Sequence, residues 1–269
     1  MNLMAIRVIV AGANGRMGQE VVKMLQKHDH LQLVCGVSRS EAGKDVGEVI
    51  GIGPIDVPFV SSVEEALDQF PAEVLVDFTT PHSVRKHMEL ALAKGVRPVV
   101  GTSGLTEKDV SELDELCRAK QVGGIIAPNF AIGAVLMMVF AAQAAKYLPH
   151  VEIIELHHDR KLDAPSGTAV KTAELIAANR QQINQGHPEE TETITGARGA
   201  EYQGFRIHSV RLPGLVAHQE VLFGGSGQLL TIKHDSLNRE SFMPGVKLAI
   251  EKVVELKSLV YGLENILDV

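Results

Sequence analysis

The chain has 269 residues, room for one large domain or two modest ones, and its 45% hydrophobic and 22% charged residues are ordinary for a water-soluble globular protein. A formal net charge of −7 disfavours a nucleic-acid or anionic-membrane surface but leaves room for a local basic site that takes a small anion. Cys35 and Cys117 lie far apart in apolar-periodic stretches, which predicts two buried thiols in a reducing compartment rather than a disulfide.

The opening MNLMAIRVIVAG lacks the basic region, long apolar run and cleavage site of a secretory signal, so a cytoplasmic location is expected. Residues 6–10 form a short apolar run ending at Ala11 and Gly12, the pattern of a strand buried on both faces. After the glycines, Met17, Val21, Met24, Leu25 and His28 recur at helical spacing. Residues 31–37 read as a second strand, 40–58 as loop or irregular edge structure, and 74–78 as a later strand. Thr80 and Pro81 predict the N-cap and first residue of a helix that Gly95 stops. Residues 96–100 are strand, and Thr106-Glu107-Lys108-Asp109 opens a helix in the manner of a capping box, with Val110, Leu113, Leu116 and Cys117 inward. Residues 124–127 form a further strand. Strands alternating with helices in this rhythm predict an α/β fold with a parallel, doubly wound sheet.

Beyond residue 130 the pattern changes. Residues 131–145 are apolar and uncharged, but too short for a membrane span of about 20 residues, which predicts a helix buried between protein layers. Residues 151–156 alternate polar and apolar, 184–204 form a long polar loop, and 205–212, 219–223 and 229–234 are strand-like. Short connections between these strands predict an antiparallel or mixed sheet in a second, α+β domain. Ser241 is expected to cap a last helix whose Val246, Ile250 and Val253 face one way, and spacing leaves open which domain receives it.

The loop AGANGRMG (11–18) joins the first strand to the first helix with Gly12, Gly15 and Gly18 spaced GxxGxxG. A dinucleotide site needs a tight turn, close approach of backbone to pyrophosphate, and a helix N-terminus aimed at it. The context suits that reading, and Asn14, at the usual middle glycine, is a residue that tolerates positive φ. At the end of the second strand, where an acid commonly bonds the ribose, stand Ser38 and Arg39, a pair that suits a 2′-phosphate. The other reading of Arg39 is a solvated surface residue.

The stretch ELHHDRKLDAPSGTA (155–169) gathers His157 and His158 at a strand end, Arg160 and Lys161 as cations, Asp163 as an orienting acid, and Pro165-Ser166-Gly167-Thr168 at a helix start. Free backbone N–H groups there, with two hydroxyls, make a carboxylate or phosphate cradle. A proton donor, cations and an anion cradle in one segment equip it to reduce a substrate bearing carboxylates. Adjacent histidines on a strand point to opposite faces and no third ligand stands at a recognised spacing, so no metal is expected.

GRMG (15–18), DFTTP (77–81), GTSG (101–104), APNF (127–130), HHDRKLDAPSGTA (157–169) and TGARG (195–199) together resemble, in order and over essentially the whole chain, the 4-hydroxy-tetrahydrodipicolinate reductases of lysine and diaminopimelate biosynthesis. That resemblance implies a Rossmann-like nucleotide domain (1–130 with 241–269), a substrate-binding and oligomerisation domain on a mixed sheet (131–240), and a homotetramer built through that sheet. It implies reduction of 4-hydroxy-tetrahydrodipicolinate, a small dicarboxylate, by NADPH or NADH with loss of water. By position it assigns His157 as proton donor, Lys161 as second catalytic residue, and His158, Lys161, Ser166, Gly167 and Thr168 to the dicarboxylate. The cofactor falls to Gly12, Ala13, Asn14, Gly15, Arg16, Met17, Arg39, Gly101, Thr102, Ser103, Ala127, Pro128, Asn129 and Phe130. Ser38 departs from the acid that many members carry, which bears on cofactor preference and not on the reaction. A non-catalytic nucleotide-sensing module is the alternative; the intact HHxxK cluster speaks against it, since a sensor needs no proton donor.

Overall fold

A parallel strand must bury both faces, so each apolar run of the first half needs a helix on either side of the sheet it joins. The structure, a computed structural model, describes residues 5–268 and divides into two compact units, 5–130 with Phe242–Asp268, and Ala131–Ser241. Along the first unit run β1 (Ile6–Ala11), α1 (Arg16–Leu25), β2 (Leu31–Val37), α2 (Val46–Ile50), β3 (Phe59–Val60), α3 (Val63–Gln69), β4 (Val74–Asp77), α4 (Val84–Ala93), β5 (Arg97–Val100), α5 (Glu107–Lys120) and β6 (Gly124–Ile126). The second unit holds α6 (Ile132–Ala145), β7 (His150–His157), α7 (Gly167–Asn179), β8 (Ala200–Tyr202), β9 (Phe205–Arg211), β10 (Ala217–Gly225) and β11 (Gln228–Ser236). The chain then returns to the first unit as α8 (Met243–Val253) and β12 (Leu259–Tyr261).

Among the described residues the first unit forms a seven-stranded parallel sheet in the order β12-β6-β5-β4-β1-β2-β3. The chain winds outward from β1 through β3, then crosses back to begin again at β4, so the switch point lies between β1 and β4. Ala11 pairs with Asp77, Asp77 with Val100, and Val100 with Ile126. One register therefore aligns four carboxyl ends, and the motif loops that follow them start side by side. The two faces carry separate cores: Ile9, Cys35, Val37, Val63 and Leu75 on one, and Val84, Met88, Leu92, Leu113, Cys117 and Ile126 on the other. Both cysteines are buried free thiols, pushed up to about 12 chiefly by that burial.

The capping box at Thr106 is present in full, with Thr106 Oγ1 accepting from Asp109 N and Thr106 N donating to the Asp109 carboxylate. Other boundaries differ from expectation. Within 40–58 the Asp45 carboxylate accepts from Glu48 N, Ile55 N and Val57 N, which winds α2 out of a segment without apolar periodicity. Thr80 opens a turn, its carbonyl accepting from Ser83 N and Val84 N, and α4 starts only at Val84. Ser241 lies in a 3₁₀ turn, its hydroxyl donating to Asn238 O, and α8 begins at Met243 with Pro244 in its first turn. Val246, Ile250 and Val253 are fully buried, and α8 packs on β4, β5, β6 and α1.

The second unit is a mixed sheet in the order β11-β10-β7-β9-β8, with β7 and β9 parallel and the other pairs antiparallel. β8, which pairs with β9, takes up the end of the expected 184–204 loop. Helix α6 packs on α7, β10 and β11, but it is not covered all round: Phe140 is 48% exposed. No helix among the described residues is long and apolar enough to cross a membrane.

Candidate active site

In the first unit the glycine loop is shaped by close approach. Gly12 has φ +77°, and a Cβ there would lie 2.5 Å from the Phe78 carbonyl oxygen. A Cβ on Gly18 would lie 2.1 Å from Gly12 O, so the start of α1 sits directly against the turn. Asn14 is not among the residues with positive φ; the turn is made by Gly12, and Gly15 N donates to Gly12 O at 2.9 Å. The use of Asn14 is its side chain, whose Nδ2 donates to Ser40 Oγ at 3.4 Å, tying the loop to the residues after β2. The first turn of α1, at Arg16 and Met17, carries no side-chain cap, leaving its N–H groups for an anion. These features fit a bound pyrophosphate: a cradle that no side chain fills, under a helix start.

The neighbouring loops are organised by Asp77, the fully buried last residue of β4. Its carboxylate accepts from Thr79 Oγ1, Thr102 Oγ1 and His87 Nδ1, each at 2.7 Å, and from Thr79 N at 3.0 Å. Burial pushes this carboxyl up, but the bonds from His87, Thr102 and Thr79 outweigh it and hold the group below its usual range. Gly101-Thr102-Ser103 is thereby pinned beside Phe78, whose ring lies 5.8 Å from that of Phe130 in the Ala127-Pro128-Asn129-Phe130 loop. At the end of β2, Ser38 is buried, with Oγ 3.3 Å from Ser40 Oγ, and Arg39 is exposed.

In the second unit β7 delivers His157 as its last residue, and His158 falls just beyond the strand. Glu155 and His157, two apart, share a face, and His157 Nδ1 lies 2.5 Å from Glu155 Oε2. Glu155 is fully buried. Arg211, its neighbour on β9, clamps it with Nη1 to Oε2 at 2.9 Å and Nη2 to Oε1 at 2.6 Å, and Ser166 N donates to Oε1 at 3.2 Å. Arg211 Nη2 also donates to Asp163 O at 2.8 Å, while Lys161 Nζ pairs with the Asp163 carboxylate at 2.8 and 2.9 Å. Ser166 is the N-cap of α7, its Oγ accepting from Ala169 N at 3.2 Å, and the helix begins at Gly167 and Thr168. His157 and the α7 start thus meet at the Glu155 carboxylate, and Lys161 is joined to them through Asp163 and Arg211; Arg160 is exposed.

Glu155 and Arg211 are the residues that sequence reasoning passed over. The letters of 151–156 predict alternation of polar and apolar residues, but the strand turns Val151, Ile153 and Glu155 inward and leaves Ile154 and Leu156 half-buried on the other face. An acid in step with Val151 and Ile153, two residues before a histidine, is the available signal.

Burial pushes the Glu155 carboxyl up, but the hydrogen bonds from His157 and Arg211 outweigh it and bring it from 4.5 to about 2. A carboxyl depressed in the folded state contributes stability that is fully present above its unfolded value and is lost as pH falls through the folded one. The wild type should therefore lose this contribution between about pH 4.5 and 2. Urea unfolding midpoints of Glu155→Gln should fall less steeply over that window than those of the wild type, and equal slopes would contradict the assignment.

Comparison with known proteins agrees with this geometry. The family described as "Dihydrodipicolinate reductase, N-terminus" matches residues 6–130, and "Dihydrodipicolinate reductase, C-terminus" matches 133–267. The 4-hydroxy-tetrahydrodipicolinate reductase of Halalkalibacterium halodurans is 60% identical over 98% of this chain and 100% of its own, and that of Geobacillus thermodenitrificans is 57% identical over the same shares. A dipicolinate-bound dihydrodipicolinate reductase from Paenisporosarcina sp. TG-14 superimposes with a TM-score of 0.90 at 52% identity, covering 98% of this chain and 100% of that one. With both halves matched and relatives aligned end to end, the chain belongs to the dihydrodipicolinate reductase family.

Proposed function

We propose that the chain reduces 4-hydroxy-tetrahydrodipicolinate to tetrahydrodipicolinate with NADPH or NADH, releasing water, in lysine and diaminopimelate biosynthesis. The observation that carries this reading is the linked set in which His157 and the α7 start meet at Glu155 and Lys161 is joined to it through Asp163 and Arg211, in a chain that matches reductases of that name over its whole length. We assign the nucleotide to 1–130 with 241–269 and the substrate to 131–240. When bound, the dihydronicotinamide supplies the hydride. Gly12 to Met17, Arg39, Gly101 to Ser103 and Ala127 to Phe130 are the residues we assign to holding it. On the substrate unit, Lys161 and the first-turn N–H groups of Gly167 and Thr168, with the Ser166 and Thr168 hydroxyls and His158, bind the two carboxylates. They fix the reacting carbon in place and so replace an entropic cost of a free encounter. Hydride addition to a conjugated imine builds negative charge, which His157 neutralises as proton donor. Oxidation of NADPH or NADH, followed by absorbance with and without freshly made substrate, tests the reading; no substrate-dependent oxidation would refute it.

His157→Ala should lower kcat by on the order of 10²–10⁴-fold with a smaller change in KM, as expected of an acid acting in the transition state. His158→Ala should act mainly on substrate binding, and Lys161→Ala should remove most turnover while nucleotide affinity stays near wild type. Steady-state kinetics and nucleotide titrations check all three, and a reversed pattern for the two histidines would exchange their roles.

Ser38 takes the place of a ribose-binding acid and so removes its repulsion of a 2′-phosphate, which Arg39 and Arg16 are free to bond. NADPH should be used at least as well as NADH. Arg39→Ala should weaken NADPH more than NADH, by about tenfold or more if one charged hydrogen bond is lost. Dissociation constants measured by nucleotide fluorescence decide this; equal losses for both cofactors would place Arg39 flat on the adenine instead.

We further propose a homotetramer assembled through the mixed sheet, in the cytoplasm. Leu229 on the outer strand β11 is 68% exposed, and Ile154, Leu156 and Leu222 line the half-buried sheet face turned away from Val151, Ile153 and Glu155. A sheet that carries apolar residues on both faces, with β11 and β8 as its edge strands, calls for a partner. Light scattering at micromolar concentration should report four copies, and a monomer would overturn this part.

A further inference from the structure

A histidine ring presents two nitrogens, and a half-turn of the ring puts a carbon where each nitrogen was; a proton donor is effective only if something fixes the ring and decides which nitrogen faces the substrate. On β7 that decision falls to the residue two places earlier. We propose that Glu155 is the positioning residue of His157, holding hydrogen on Nδ1 and so presenting Nε2 as the nitrogen that gives its proton to the substrate. This rests on the reading of His157 as proton donor given above.

Donors converge on the fully buried Glu155 from three places in the fold: His157 on its own strand, both Nη atoms of Arg211 and the Ser209 hydroxyl on β9, and Ser166 N at the α7 start. Every one of these contacts needs an acceptor. A carboxylate has acceptors only, so the hydrogen between Oε2 and Nδ1 must belong to the ring. The carboxyl, held down at about 2, is ionised at neutral pH. His157 Nε2, on the far edge of the ring, has no hydrogen-bond partner among the described residues. The imidazolium carries hydrogen on both nitrogens, with the positive charge set against a buried anion. As the substrate takes up the hydride and its two electrons, the Nε2–H bond breaks and its proton forms a new bond to the substrate. The ring is left neutral with its one hydrogen on Nδ1, still donated to Glu155. The same contact therefore serves the ring before and after the transfer, and no reorientation is needed between the two.

An amide cannot replace this carboxylate. If the amide of a Glu155→Gln variant turned its oxygen to Nδ1, its NH₂ would face Arg211, donor against donor. If it turned its oxygen to Arg211, its NH₂ would face Nδ1 and exclude hydrogen there, which excludes the imidazolium. Either arrangement keeps the volume and loses the function.

The test is a double-mutant cycle of Glu155→Gln and His157→Gln in the full chain, with steady-state kinetics at saturating cofactor, thermal melting, and calorimetric titration with dipicolinate as a probe of the substrate site. Glu155→Gln should lower kcat by on the order of 10²-fold, while KM and dipicolinate affinity change by less than about threefold. In the His157→Gln background, adding Glu155→Gln should cost less than about threefold more, because the two residues act as one unit. If the amide variant does not melt cooperatively, Glu155→Asp keeps the charge but shortens the arm that reaches Nδ1, and the same loss confined to kcat is expected. Losses that add in full, a near-normal kcat, or an effect confined to KM and dipicolinate affinity would overturn the proposal. A slow His157→Gln with additive Glu155→Gln overturns this inference alone. A His157→Gln enzyme as fast as wild type overturns the reading of His157, and this inference with it.

Discussion

A carboxylate removed from water has to be met by donors, and each unit of this protein turns that requirement into the placement of its functional loops. Asp77 ends a central strand of the parallel sheet, fully buried, and its donors come from the loops of two neighbouring motifs, Thr79 and Thr102. Glu155 stands near the end of the central strand of the mixed sheet, equally buried, and its donors are His157, Arg211 and the amide that opens α7. In both cases the strand supplies a rigid post and the carboxylate joins loops to it that have little apolar surface of their own. Removing either acid would leave buried donors unmet at a cost of about 1–3 kcal/mol each, more for the charged ones. The chemistry of these loops is therefore tied to the stability of the sheet beneath them.

Much of the nucleotide unit was legible in the sequence because its signals are local. Gly12 with Gly18, Thr106 with Asp109, and Gly95 after α4 each act within a few residues, and the structure shows each of them acting so. What escaped depends on contacts over longer distances. Helix α2 exists because Asp45 draws in amides as far as Val57, a span that no window of hydrophobic period detects. Strand β8 is short and largely exposed, held by its pairing with β9 rather than by a pattern of its own. Asn14 misled for a different reason: its tolerance of positive φ is real, but the turn is already made at Gly12, and the side chain is used instead.

In the candidate site, the segment around His157 was legible as a cluster and Glu155 was not. The letters VEIIEL invite a count of apolar residues, whereas a strand sorts them by parity. Parity places Glu155 with Val151 and Ile153 on the buried face, and places Ile154 and Leu156 on the opposite, half-buried face. The same register thus explains two facts that look unrelated. A charged residue is buried on the strand's apolar face, and apolar residues stay half-buried on the other.

The end of β2 shows how little charge is needed to set a cofactor preference, and how little is present. The first acid after the strand, Glu41, does not reach back as a free carboxylate: Lys44 Nζ and Ser40 Oγ each donate to it at 2.9 Å. Both bonds hold its carboxyl below the usual range, so it is ionised and locally neutralised. Ser38 contributes a buried hydroxyl and no charge. Arg39 is then the uncompensated group at this site, and it is exposed, where solvent weakens an ion pair to roughly 0–1 kcal/mol unless the geometry is good. An energy of that size separates two cofactors by less than about tenfold. At a strand end built this way, any larger preference must come from bonds formed to the 2′-phosphate itself, not from the standing field of the protein.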